Sequence, residues 1–121
     1  MADVLVVDDD EVIRETLCEL LSGEYTCQTA DTAEQALAKL EAQSFDVVLT
    51  DITMPGLSGM ELLNRVLKLY PGTPVIVISG LTDEEQARSL IERGAFEYLL
   101  KPFRLEVVED SVHRAIDLSR G

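Results

Sequence analysis

Val4-Leu5-Val6-Val7-Asp8-Asp9-Asp10 is a four-residue apolar run that stops on three consecutive acids. So short a run, apolar at every position, reads as a strand buried on both faces, the kind found in the middle of a parallel sheet. Val47-Val48-Leu49 and Val75-Ile76-Val77-Ile78 share that character. Tyr25 to Ala30 and Phe96 to Leu99 mix polar with apolar residues, as strands at the edge of a sheet do.

Five helical patterns lie between and after these strands. The first places Ile13, Leu17, Leu20 and Leu21 on one face, and the second Ala33, Ala36, Leu37 and Leu40. The third carries Leu63, Val66, Leu67 and Tyr70; the fourth Ala87, Leu90 and Ile91; the fifth Leu105, Val108, Val112 and Ile116. Thr32 with Gln35, and Thr82 with Glu85, read as capping boxes. Gly23 and Gly94 follow helix ends, where a positive φ is often required. Strict alternation of strand and helix implies a parallel sheet with helices on both faces. With strands 2 and 5 at the edges, the expected fold is α/β: a flavodoxin-like (βα)5 three-layer sandwich with strand order 2-1-3-4-5.

Composition sets the outer bounds. A chain of 121 residues that is 46% apolar suits one globular domain. Apolar runs of at most four residues are far too short for a membrane helix, and Met1-Ala2-Asp3 does not open a signal peptide. Cys18 and Cys27 are too few for a disulfide framework and lack metal-ligand spacing, so reduced, buried thiols in a cytoplasmic protein are expected. Ten basic residues against 23 acidic ones, a net charge of −13, leave no basic stripe for nucleic acid.

In a sheet of this order, chemistry collects beyond the carboxyl ends of the strands, at the switch between strands 1 and 3. Those ends are Asp8-Asp9-Asp10, Asp51, Ser79 and Lys101-Pro102. Asp10 suits an N-cap for the first helix. Carboxylates from Asp8, Asp9 and Asp51 would raise one another's pKa unless a cation compensates, and a hard oxygen-seeking ion such as Mg²⁺ fits them. A serine hydroxyl and a lysine ammonium are the groups needed to hold phosphoryl oxygens. The implied chemistry is attack by a carboxylate on phosphorus, giving an aspartyl phosphate.

The residues resemble those of a response-regulator receiver domain of two-component signal transduction (the CheY-like family), and the likeness runs nearly end to end. It rests on Val6-Val7-Asp8-Asp9-Asp10, Leu49-Thr50-Asp51-Ile52-Thr53-Met54-Pro55-Gly56, Gly59, Val77-Ile78-Ser79-Gly80 and Leu100-Lys101-Pro102-Phe103, in order and at compatible spacing. The resemblance implies that Asp51 is the phosphoacceptor. It makes Asp8, Asp9, Asp51 and the Thr53 backbone carbonyl the Mg²⁺ ligands. Lys101 and Ser79 would bind the phosphoryl group, and Tyr98 would turn inward on activation. The Lys101–Pro102 peptide is expected to be cis.

The implied phosphoryl donor is a histidine kinase or histidine phosphotransfer protein. The output face would be helix 4, strand 5 and helix 5, where Val107 and Leu118 are candidates for exposure, and it would act on an output domain or protein. Neither Thr53 nor Leu81 can orient an attacking water, so self-dephosphorylation should be slow. His113 reads as a surface residue. Residues 1–121 are expected to form one receiver domain, standing alone or as the N-terminal part of a longer regulator: a switch, not an enzyme acting on others.

Two other classes fit poorly. A haloacid-dehalogenase-type phosphatase needs its Asp nucleophile after the first strand and a second acid two residues on, where Asp51-Ile52-Thr53 has none. A flavodoxin-like cofactor carrier needs a phosphate loop after strand 1, where three acids stand instead.

Overall fold

The computed structural model describes residues 2–52, 59–80 and 84–120. These residues form β1 (Asp3–Val7), α1 (Glu11–Leu21), β2 (Thr26–Ala30), α2 (Ala33–Ala42), β3 (Val47–Asp51), α3 (Gly59–Leu69), β4 (Val75–Ser79), α4 (Glu84–Arg93), β5 (Glu97–Leu100) and α5 (Leu105–Arg120). All strand pairs are parallel, in the order β2-β1-β3-β4-β5. The strands that read as apolar throughout are the three central ones.

Alternation along each strand divides the core in two. Leu5, Val7, Val48, Val75 and Val77 face α2, α3 and α4, and pack with Ala33, Ala36, Leu40, Leu62, Leu63, Val66 and Leu90. Val4, Val6, Val47, Leu49, Ile76, Ile78 and Leu99 face α1 and α5, and pack with Leu17, Leu21, Val108, Val112, Ala115 and Ile116. A residue two positions along a strand returns to the same layer, which is why each strand serves both.

Local signals set the helix ends. Asp10 has extended backbone and its Oδ1 accepts from the amides of Val12 at 2.9 Å and Ile13 at 3.4 Å, satisfying two donors that no helical carbonyl can reach. Asp10→Ala is expected to lower stability by about 1 kcal/mol, read as a shift in the urea midpoint. An unchanged midpoint would show that α1 does not depend on this cap. Thr32 Oγ1 accepts from the Gln35 amide at 3.1 Å, while Gln35 Oε1 accepts from Asp31 N–H at 3.2 Å, one residue earlier than in the usual box. The Thr82–Glu85 pair lies outside what is described.

Several expectations are corrected. Gly94 does adopt a positive φ, +120°, and a Cβ there would stand 3.0 Å from a Leu67 methyl. Gly23 does not: α1 ends through Ser22 in right-handed conformation, and the Tyr25 amide reaches back to the Leu21 carbonyl. Ile91 and Leu105, read as core, are 44% and 41% exposed. The sheet ends at β5, so the flank of α4 that carries Ile91 has no strand beneath it. Leu105 opens α5 before the helix reaches the sheet, and Val108 is its first fully buried residue. Leu62, which the third pattern omitted, is fully buried. Cys18 and Cys27 are half-buried and free.

One contact ties β5 to α5. Ser111, fully buried, donates to Glu97 Oε2 at 2.6 Å, and Arg114 Nη2 reaches both Glu97 oxygens at 3.1 and 2.8 Å. Arg114 Nε also bonds Asp110 at 2.9 Å, and its guanidinium lies over Phe96. No described helix is long and apolar enough to cross a membrane.

Candidate functional site

The carboxyl ends of β1, β3, β4 and β5 lie side by side, because adjacent parallel strands end on the same edge. Val7 pairs with Thr50, Asp51 with Ile78, and Ser79 with Leu100, so Asp8, Asp51, Ser79 and Lys101 come to one rim. Asp8, Asp51 and Ser79 are buried; Asp9 is exposed.

Lys101 is the centre of the contacts. Its Nζ is 2.8 Å from Asp51 Oδ2 and 3.2 Å from Asp8 Oδ2. The Lys101 amide donates to the Ser79 carbonyl at 2.7 Å, which fixes where the side chain starts. The Lys101–Pro102 peptide is cis. Asp8 is held from its other side: its Oδ1 accepts from the Asp10 amide at 2.9 Å, and its carbonyl accepts from the Arg14 guanidinium at 2.7 Å. Arg14 had no signal in the sequence, since a lone arginine in the first turns of a helix is ordinary.

Asp8, Asp9 and Asp51 each bring one carboxylate oxygen to within 4.8 Å of the others. Burial raises the Asp8 pKa above its usual 3.8; nearby Asp51 adds to the rise, and the Asp10 amide and Lys101 oppose it. Burial pushes the Lys101 ammonium the other way, but hydrogen bonding and charge from Asp51 and Asp8 hold it above 10.5. One ammonium therefore faces three acids in a partly dry pocket. All-oxygen donors and this surplus of negative charge suit a hard divalent cation.

A pH dependence follows. Asp8 binds its proton more tightly folded than unfolded, so stability without divalent metal falls as pH rises from 3.8 through the raised value, and the cost is fully present above it. Lys101 has the opposite character: its stabilisation is complete below 10.5 and is lost as pH rises through its raised value. Urea midpoints across the acid range should fall less steeply with rising pH in Asp8→Asn than in the parent. Identical profiles would show that Asp8 titrates normally.

Tyr98 is half-buried on β5 and packs against the core shared by α2, α3 and α4. Val107 and Leu118 are 43% and 64% exposed on α5. His113 is exposed on α5, its Nδ1 3.4 Å from the Tyr25 hydroxyl and its Nε2 3.5 Å from Asp117, remote from the acids. Thr53 and Leu81 lie outside the described residues. Asp51 closes the third strand, not the first, and nothing in the site favours the phosphatase reading.

Comparison with known proteins agrees with this geometry. A family model described as the response regulator receiver domain matches residues 4–113. The chain is 41% identical over 114 residues to the DNA-binding transcriptional regulator NtrC of Salmonella typhimurium, covering 93% of this chain. It is 37% identical to the response regulator protein FleR of Pseudomonas aeruginosa, with the same coverage. In both cases it spans about a quarter (24%) of the relative's length. A response regulator receiver domain protein from Clostridium thermocellum superposes with a TM-score of 0.92 at 33% identity, covering 99% of this chain and 98% of that one.

Proposed function

The chain belongs to the response regulator receiver family, and from that premise we propose that it is a two-component switch whose phosphoacceptor is Asp51. The observation that carries this reading is the Lys101 ammonium shared between Asp51 and Asp8, with Asp9 alongside. The donor is a phosphorylated histidine on a kinase or phosphotransfer protein. A carboxylate oxygen of Asp51 attacks phosphorus, the phosphorus–nitrogen bond breaks, and the imidazole leaves with a proton. Asp8, Asp9 and Asp51, whose carboxylate oxygens converge, would hold Mg²⁺ together with the Thr53 carbonyl that the family resemblance implies. When bound, that ion neutralises charge on the phosphoryl oxygens.

Lys101 then exchanges a carboxylate partner for a phosphoryl oxygen, and the Ser79 hydroxyl donates to another. The added charge draws both groups toward Asp51. Tyr98 follows into the space this leaves, altering the face of α4, β5 and α5, where Ile91, Leu100, Val107 and Leu118 are exposed. Residues 1–121 act as one cytoplasmic receiver domain, either alone or as the N-terminal part of a longer regulator with its own output domain. A net charge of −13 leaves nucleic-acid contact to such a partner.

Incubation with acetyl phosphate tests the assignment. One adduct of about 80 Da per chain, requiring Mg²⁺ and mapping to Asp51, is expected. Modification elsewhere, or without divalent metal, would refute it. Because Thr53 and Leu81 offer no carboxylate or carboxamide to orient water, the adduct should decay over minutes or longer. A lifetime of only seconds would sink that part of the reading.

A further inference from the structure

Asp8 is bonded at every polar atom it has. Its amide donates to the Ala30 carbonyl at 3.2 Å, its Oδ1 accepts from the Asp10 amide at 2.9 Å, and its Oδ2 accepts from Lys101 Nζ at 3.2 Å. The remaining atom, the main-chain carbonyl oxygen, accepts from Arg14 Nη1 at 2.7 Å. β1 stops at Val7, its neighbour β2 stops at Ala30, and α1 starts only at Glu11. This carbonyl therefore falls between backbone ladders, and a side chain supplies its donor.

Arg14 has other partners close by in sequence. Asp10, Glu11 and Glu15 all lie within four residues of it, and a pair with one of them would be the ordinary use of a helical arginine. Among the described residues, however, its half-buried guanidinium forms no ion pair. It is turned instead onto the main chain from which the Asp8 carboxylate springs.

On the reading of Asp8, Asp9 and Asp51 as the acids that hold Mg²⁺, we propose that Arg14 is a positioning residue for that site. It acts through the backbone of Asp8 and not on the ion. When Lys101 turns from Asp8 to a phosphoryl oxygen, the bonds from Ala30, Asp10 and Arg14 remain, and Arg14 is the one side chain among them. A carboxylate held in place beforehand does not have to be ordered when the metal arrives.

Charge and position pull in opposite directions here. A guanidinium beside a cation site repels the ion, so an Arg14 acting by charge alone would tighten Mg²⁺ binding when removed. An Arg14 that positions Asp8 would weaken binding when removed.

MgCl₂ titration of the full chain without a phosphoryl donor, followed in the amide NMR signals of Asp8 to Asp10, tells the two apart. In Arg14→Met the dissociation constant should rise about tenfold or more. Arg14→Lys keeps the charge and a donor, and should recover part of the affinity. Tighter binding in Arg14→Met would overturn the proposal. So would a lower urea midpoint without metal joined to unchanged affinity in the folded chain, which would make Arg14 a merely structural residue. Asp8→Asn serves as the control. Where the parent binds, Asp8→Asn does not and Arg14→Met matches the parent, the metal assignment stands and only the role of Arg14 is refuted. If Mg²⁺ moves no signal in the parent, both fall.

Discussion

Asp51→Asn is expected to leave a folded chain that no longer takes up a phosphoryl group. Asparagine keeps the shape of the side chain and an oxygen to accept from Lys101 Nζ, now 2.8 Å from the carboxylate. It lacks the nucleophilic oxygen, so Mg²⁺-dependent uptake from acetyl phosphate should fall by at least about a thousandfold. Unfolding cannot account for that loss. The substitution removes one of three mutually repelling carboxylates, so stability without metal should hold or rise while the response to Mg²⁺ weakens. Titration with beryllofluoride and Mg²⁺ makes the comparison without covalent chemistry. Equal Mg²⁺-dependent responses in the parent and in Asp51→Asn would refute the assignment.

Lys101→Met should have the second largest effect, and it is one that Mg²⁺ partly reverses. Methionine keeps most of the stem and removes the charge that Asp8 and Asp51 share. Two buried carboxylates then face each other without that ammonium, a loss of about 1–3 kcal/mol where the pocket is only partly dry. Divalent metal takes over part of the compensation, so Mg²⁺ should raise the urea midpoint more in the variant than in the parent. Phosphoryl uptake should fall about tenfold to a hundredfold, because a charge-assisted donor to the phosphoryl oxygens is gone. An equal gain from Mg²⁺ in both chains would show that Lys101 does not balance these acids.

The fold was legible where burial is two-sided. β1, β3 and β4 are buried at nearly every position because helices cover both faces, and the apolar runs Val4–Val7, Val47–Leu49 and Val75–Ile78 lie within them. The rim was legible for a related reason: a parallel sheet puts all its carboxyl ends on one edge, so residues far apart in sequence could be assembled from strand order alone. What could not be read depends on where the sheet stops. Ile91 and Leu105 have the helical spacing of core residues, and only the position of β5 at the edge leaves them exposed. The bonds from Ser111 and Arg114 to Glu97 were invisible too, since no local spacing links a strand residue to positions 14 and 17 further on.

The strand order also bears on how the chain assembles. β1 pairs with β2 on one side and β3 on the other, β4 adds to β3, and β5 adds to β4. Each strand emerging from synthesis therefore finds its partner already made and standing at a free edge. No strand has to be inserted between two that are already joined. The sheet can grow in the direction the chain is translated, with its three rim acids all present once Asp51 has emerged and Lys101, the balancing charge, arriving last.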